Sequence, residues 1–492
     1  MRWHACTLAW ALALGCDISD PIPFHRPDAG ASCPLRTVNS RALVWIDTDC
    51  VPGHNEGTTL QIDCELSITA DVPRTLPPLE GSLLDVIEGI GIHGCRPELG
   101  PPAAFLSLGC QTQDERRCSI DLYERAEHRL GLGVERLPLH DPPYPYQMPS
   151  DRPALTTADP MKGYLAGVAP LGAGLVIASR ERAFSSGACT DTTAPGRFLF
   201  VDPSGPALTI TATAPAPPCL QRLAADPSGG FFATYGPKDH LDLGRFDARG
   251  RLSQSVRLVE TTTTVSMAIE VDDTSVYVAR ENFDSAIFDG VVNIIDRATL
   301  SQVRALQEVG APGEHLHRPR ALLRDGDRLL VADDNTESLT VFRVPGLGVV
   351  GSTLLNTPPV ASGSAGYLTR HPRRNELYVS APEGLNGELW ILTATASGPP
   401  QVLGHRSYFP MVSNPWATIM DGERLLVGLT EDHHLSERPQ AFISVFDPVE
   451  RRYQDGKEII GLGLVSALIR IDAHHLVALL PYEDVLVRLT VP

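Results

Sequence analysis

Lysine is almost missing from this chain: it occurs only at Lys162, Lys238 and Lys457, and arginine carries the rest of the positive charge. Basic residues number 41 against 59 acidic ones, a formal net charge of −18. Phosphate backbones are gripped by clustered cations, so nucleic acid is excluded as the expected partner. An acidic surface suits a soluble monomer that resists self-association. Past the first fifteen residues no apolar run is long enough to cross a bilayer. H-E-x-x-H, the P-loop and the dinucleotide fingerprint are absent. The Ser362-Gly363-Ser364-Ala365-Gly366 stretch lacks the first glycine of a nucleophile elbow. These absences leave zinc hydrolysis, serine hydrolysis and nucleotide chemistry without a motif. Cysteine stops at Cys219, and no two cysteines stand in a C-x-x-C pair of the kind that holds zinc.

What is present begins at the N-terminus. Met1-Arg2 precedes an apolar run, residues 5–15 (ACTLAWALALG), with the pattern of a signal peptide. It ends in Ala13-Leu14-Gly15-Cys16, which resembles a bacterial lipobox with Ala13 in place of the usual leucine. The resemblance implies lipidation of Cys16 and an extracytoplasmic chain held to the membrane by its lipid; a plain secretory signal is the alternative. Residues 16–32, rich in proline, read as a flexible tether. Eight cysteines then remain, an even number that reads as a disulfide set in an exported chain. Cys33, Cys50, Cys64, Cys95, Cys110 and Cys118 fall in one stretch, with fifteen pairings open. Cys189 and Cys219 are left to pair with each other.

The informative part is a repeat. An apolar strand, a tight turn and a second apolar strand recur at residues 167–179 (GVAPLGAGLVIAS), 223–235 (LAADPSGGFFATY), 268–280 (AIEVDDTSVYVAR), 322–334 (LLRDGDRLLVADD), 368–382 (LTRHPRRNELYVSAP), 418–430 (TIMDGERLLVGLT) and 468–480 (LIRIDAHHLVALL). The turns return about every 44–56 residues, the spacing of propeller blades. Asp, Gly, Pro, Ser and Asn build them, as tight turns require. A third strand follows each pair, and a more polar fourth follows six of the seven. The seventh lacks one because the chain ends, so an upstream segment is expected to close the ring, with residues 153–158 (PALTTA) as the candidate. Residues 318–344 (RPRALLRDGDRLLVADDNTESLTVFRV) resemble a repeat of the YVTN/NHL-like propellers, and the style extends over residues ~150–492. The WD40 and kelch signatures are missing. The expected fold is therefore all-β: a seven-bladed β-propeller preceded by a small disulfide-bonded β-sandwich-like domain. The expected boundaries are 1–15 signal, 16–32 tether, 33–145 N-terminal domain and 146–492 propeller. Strands are expected at residues 42–47, 60–68, 83–90, 105–108 and 119–122, and a short helix at 125–130.

Chemistry is harder to place. His315 and His317 flank Leu316 just ahead of the fourth blade, beside Glu314, Arg318 and Arg320. Two histidines at i and i+2 of a strand share a face, so the pair could serve one metal or one anion; a polar loop is the plainer reading. His433-His434 and His474-His475 are adjacent, point apart and read as solvated. Asp272-Asp273 and Asp333-Asp334 lack calcium-loop spacing. Repeat register puts Arg222, Thr264, Arg320, Ala365, Trp416 and Ser466 at the start of inner strands, with Arg222, Arg320 and Trp416 as a candidate ligand ring. Quinone-docking propellers repeat a Trp motif in each blade, whereas Trp45, Trp390 and Trp416 do not repeat. No cofactor is evident, and no motif supports a metal. The leading expectation is a non-enzymatic, lipid-anchored propeller binding a protein, a glycan or an envelope component. The alternative is a channel-mouth hydrolase of the lactonase kind, using His315, His317, Arg320 and Glu314. In a third reading the N-terminal domain binds and the propeller is a spacer.

Overall fold

The computed structural model describes four backbone strands between residues 38 and 124 and, beyond them, residues 129–491. Segments 142–162, 181–188, 190–193, 237–239, 260–263, 283–288, 308–314, 334–337, 345–347, 356–366, 382–387, 396–397, 408–412 and 432–438 fall outside the description. Every regular element described is a strand. The strands form eight four-stranded sheets, seven of which follow one plan. In blade 2, for example, Leu220–Ala225, Phe231–Tyr235, Leu241–Phe246 and Leu252–Val259 run antiparallel from the channel to the rim.

The turn chemistry explains why the repeat was visible. In blade 2 the Asp226 carboxylate accepts from the Ser228 amide at 3.0 Å and the Ser228 hydroxyl at 2.8 Å. Gly230 follows at φ 121°, where a Cβ would stand 2.4 Å from the Phe246 carbonyl oxygen. Only glycine tolerates both conditions. Asp202, Asp272, Asp296 and Asp472 cap turns in the same way.

The core lies between blades. Seven apolar clusters each join one blade to the next: 1 with 2, 2 with 3, and so on around to 7 with 1. Phe198 of blade 1 packs edge-on to Phe231 and Phe246 of blade 2, at 4.8 and 4.9 Å between centroids. Both faces of the middle strands are covered, so Arg328–Asp333 and Glu376–Ala381 are buried at every position. That is why these strands read as continuous apolar runs. Each large apolar side chain so buried contributes about 1.5–3 kcal/mol. The rim strands, such as Thr209–Ala216, are mostly exposed.

Ring closure differs from the sequence expectation. The fourth strand of blade 7 is Gly133–Pro138, paired antiparallel with Val485–Thr490 from Gly133↔Thr490 to Pro138↔Val485. It is not residues 153–158, which lie outside the described residues. The closing strand sits inside the stretch assigned to the N-terminal domain. Charge explains the choice. Arg488, 8% exposed, donates to the carbonyls of Pro203, Gly205 and Pro206 at 2.6–3.0 Å and pairs with Glu135 of the closing strand. The PALTTA segment holds no carboxylate to offer it.

The eighth sheet is N-terminal: Val38–Asp47, Gly57–Thr69, Arg117–Glu124 and Ala104–Cys110 in that spatial order, the middle pair parallel. Cys110 stands opposite Cys118 in its register. Of the expected sandwich, the described residues supply this one sheet. The strand expected at 83–90, most of the helix expected at 125–130, the signal, the tether and Cys16, Cys33, Cys50 and Cys95 lie outside the described residues. Cys189 and Cys219 are disulfide-bonded with 5.6 Å between their Cα atoms, tying a loop of blade 1 to the start of blade 2.

Candidate functional site

Five of the seven inner strands carry a β-bulge in the same place. The ladder skips between Leu165 and Gly167, Leu220 and Arg222, Ser266 and Ala268, Pro319 and Ala321, and Pro415 and Thr418. The unpaired residues are Ala166, Gln221, Met267, Arg320 and the Trp416-Ala417 pair. A bulge bends its strand and re-aims a side chain, and bulges gather next to functional sites. In blade 6 the bulge faces Gly428, where a Cβ would lie 2.7 Å from Val465 of blade 7. Side chains and amides of neighbouring blades hold the bulges. Arg222 Nε donates to the Met267 carbonyl at 2.7 Å, and Ser380 Oγ to the Trp416 carbonyl at 2.8 Å. Gln221 Oε1 accepts the Ser266 amide at 2.6 Å.

A cavity of about 230 Å³ opens at this level, where the inner strands begin, and all seven blades line it. Its polar lining is Arg222 of blade 2, Arg320 of blade 4, Tyr367 of blade 5, Trp416 of blade 6 and Ser466 of blade 7. The remaining lining residues are apolar or glycine, and no carboxylate, histidine or thiol is among them. Blade order gives the cavity two sides. Arg222 and Arg320 flank Met267 on blades 2 to 4, and Tyr367, Trp416 and Ser466 stand across the ring on blades 5 to 7. The Tyr367 hydroxyl donates to the Ser466 carbonyl at 2.9 Å, bridging blades 5 and 7. Trp416 is 1% exposed, and its indole N–H has no partner among the described residues.

The register residues divide. Arg222, Arg320, Trp416 and Ser466 meet at the cavity. Thr264 is buried but not in the lining, because the inner strand of blade 3 is eight residues long and reaches the cavity at Met267–Ile269. Ala365 and Glu314 lie outside the described residues. His315 and His317 are half-buried and do not line the cavity. Their loop is held from behind: the His317 and Arg318 amides donate to Asp333 Oδ2 at 2.7 and 3.1 Å, and Arg318 Nε pairs with Glu281 at 2.9 Å. Among the described residues, no group of three or more His, Cys, Asp or Glu is placed to hold a metal ion.

One constellation escaped the sequence. His140 Nδ1 bonds the Asp484 carboxylate, and its Nε2 lies 3.3 Å from Ser179 Oγ. The three residues come from the closing strand's exit, a blade 7 turn and the second strand of blade 1. Burial pushes the Asp484 carboxyl up, and the bond and charge of His140 offset only part of that. Ser179 is 1% exposed and none of the three lines the cavity; their bonds link the closing strand's exit to blades 1 and 7. Its members are 344 and 39 residues apart, so no local motif could have shown it.

No family model and no curated protein matches the chain. Solved structures of similar architecture include the Cps50 (Swd1) β-propeller domain of Myceliophteria thermophila (13% identity, TM-score 0.48, covering 67% of this chain and 97% of that one). Hydrazine synthase of Kuenenia stuttgartiensis (14%, 0.46, 67% and 96%) and BamB of Moraxella catarrhalis (12%, 0.38, 66% and 95%) are others. At such identities the likeness is one of architecture, which carries no chemistry across.

Proposed function

We propose that this chain is a non-catalytic binding propeller of the cell envelope, exported, anchored through a lipid on Cys16 and monomeric, which receives a protein, glycan or envelope component at the channel mouth. The cavity carries this reading: seven inner strands converge on an apolar hollow with a few polar groups, the usual form of a ligand site. Its lining offers hydrogen-bond donors but no carboxylate, histidine or thiol. The Cys189–Cys219 disulfide fits an oxidising compartment, and the repeat style of residues 318–344 fits an extracytoplasmic YVTN/NHL-like propeller. The hydrolase alternative needs His315 and His317 at the cavity, and neither is in its lining.

The test is position-resolved photo-crosslinking in intact cells. Benzoylphenylalanine at Leu223 or Ser466 reports on the mouth; at Ala173 or Asp327 it reports on the tight turns of the opposite face. Adducts confined to the mouth positions are expected. Adducts confined to the turn face would overturn the reading. Lactone hydrolysis that disappears in His315→Ala would favour the enzyme instead.

A further inference from the structure

The hollow at the channel mouth is walled by aliphatic side chains just below the strand starts. We infer that it takes the end of an alkyl chain of about nine carbons or fewer, the tail of a small amphiphile whose polar head stays at the opening. The inference rests on the mouth being the binding face and deepens that reading.

Three observations support it. First, the aliphatic wall repeats by register. Val168, Leu223, Ile269 and Leu322 each stand two residues past the bulge in blades 1 to 4, and Leu368 holds the same rung of blade 5. Leu223, Ile269 and Leu368 are half-buried and line the hollow. Apolar surface that faces an open hollow is covered favourably by another apolar group. Second, the polar groups one step nearer the strand starts are bonded within the protein. Arg222 donates to the carbonyls of Met267 and Gln221 at 2.7 and 2.9 Å. The Tyr367 hydroxyl donates to the Ser466 carbonyl at 2.9 Å, and Ser466 Oγ to the Leu479 carbonyl at 3.3 Å. With no carboxylate, histidine or thiol in the lining, apolar contact is what the hollow offers below that level. Third, the size suits a chain end. An apolar cavity of about 150 Å³ stays dry and takes benzene. By the same ratio about 230 Å³ takes roughly nine carbons. A leucine side chain has less than half as many and would leave the hollow part-filled, which forfeits contacts along its wall. An alkyl tail fills it, and the head remains where the polar groups are.

Calorimetric titration of the full chain with straight-chain primary alcohols, from butanol to dodecanol, tests this. Affinity is expected to rise about 4-fold per added methylene and to stop rising at about nine carbons. It should fall by about 10-fold in Leu223→Asn and in Leu368→Asn, where an amide replaces part of the wall. The chain-length series on the unmodified protein stands even where a variant fails to fold. A rise that continues unbroken to dodecanol, or an affinity unchanged in both folded variants, would overturn the inference, because the alcohol would then be bound to an open surface. The absence of saturable binding by any alcohol also overturns it. N-acetylleucinamide binding more tightly than octanol would overturn it in favour of a protein side chain. All of these outcomes leave the mouth a binding face. Only crosslinks confined to the turn face would remove the underlying reading as well.

Discussion

Single side chains in the inner strands show how burial and charge divide their work. Glu270 follows the cavity residue Ile269, and burial pushes its carboxyl up to about 7 against the pull of the Arg324 amide and charge. Two residues on, burial also raises the Asp272 carboxyl. The amides of Thr274 and Ser275, the Tyr277 hydroxyl and Arg324 outweigh that and hold it at about 2. The signs are opposite. A raised folded value means that Glu270's contribution to stability is fully present below about 4.5 and lost as pH rises through about 7. Glu270→Gln is therefore expected to melt higher than the parent at pH 8, by up to about 3 kcal/mol of stability. At pH 4 the two should coincide. Melting curves at both pH values check this; a gap that persists at pH 4 would trace to packing and not to charge. At this scale the sequence was half legible. Arg222, Arg320, Trp416 and Ser466 could be counted back from the turn glycines and aspartates. Thr264 missed the cavity because the inner strand of blade 3 begins three residues ahead of Met267, where it reaches the lining. A bulge has no compositional mark, so nothing in the chain announced it.

Strands and their fastenings come next. The repeat was readable because each turn needs an Asx cap or a left-handed glycine and each middle strand is buried on both faces. The closing strand was not readable, because its identity depends on Arg488, some 350 residues downstream, needing a carboxylate. Glu135→Ala removes that partner and leaves Arg488 buried with carbonyl partners alone. A loss of about 1–2 kcal/mol is expected, discounted from the cost of breaking a fully buried pair because Glu135 is partly exposed. Chemical denaturation should show a lower midpoint with an unchanged slope; a changed slope would mean that the ring had opened before unfolding. The disulfide closes a loop of 30 residues. Its removal in the paired Cys189→Ser, Cys219→Ser variant should cost about 3.5 kcal/mol. Denaturation of that variant beside the parent gives the value, and no change would mean that the bond adds nothing to the stability of the ring.

The whole molecule is a ring in which no blade has a core of its own. Each apolar cluster belongs to two blades, so stability is shared around a circle, and the seven-fold count follows from the seven interfaces. That count was legible in the sequence, since seven turns repeat in order. The two-sidedness of the channel mouth was not, because it depends on which blade stands across from which once the circle is shut.

The strand Gly133–Pro138 has a further consequence. It is made some 350 residues ahead of Val485–Thr490, its ladder partner among the described residues. Until those residues arrive, the growing chain is an open fan with two uncovered edges, and uncovered edges invite pairing with other chains. If the signal is used, the chain also crosses a membrane before it can shut. The interval between the first strand's release and the last strand's arrival is then the period in which this protein most needs a chaperone. Any premature stop beyond blade 1 would lengthen that interval without limit.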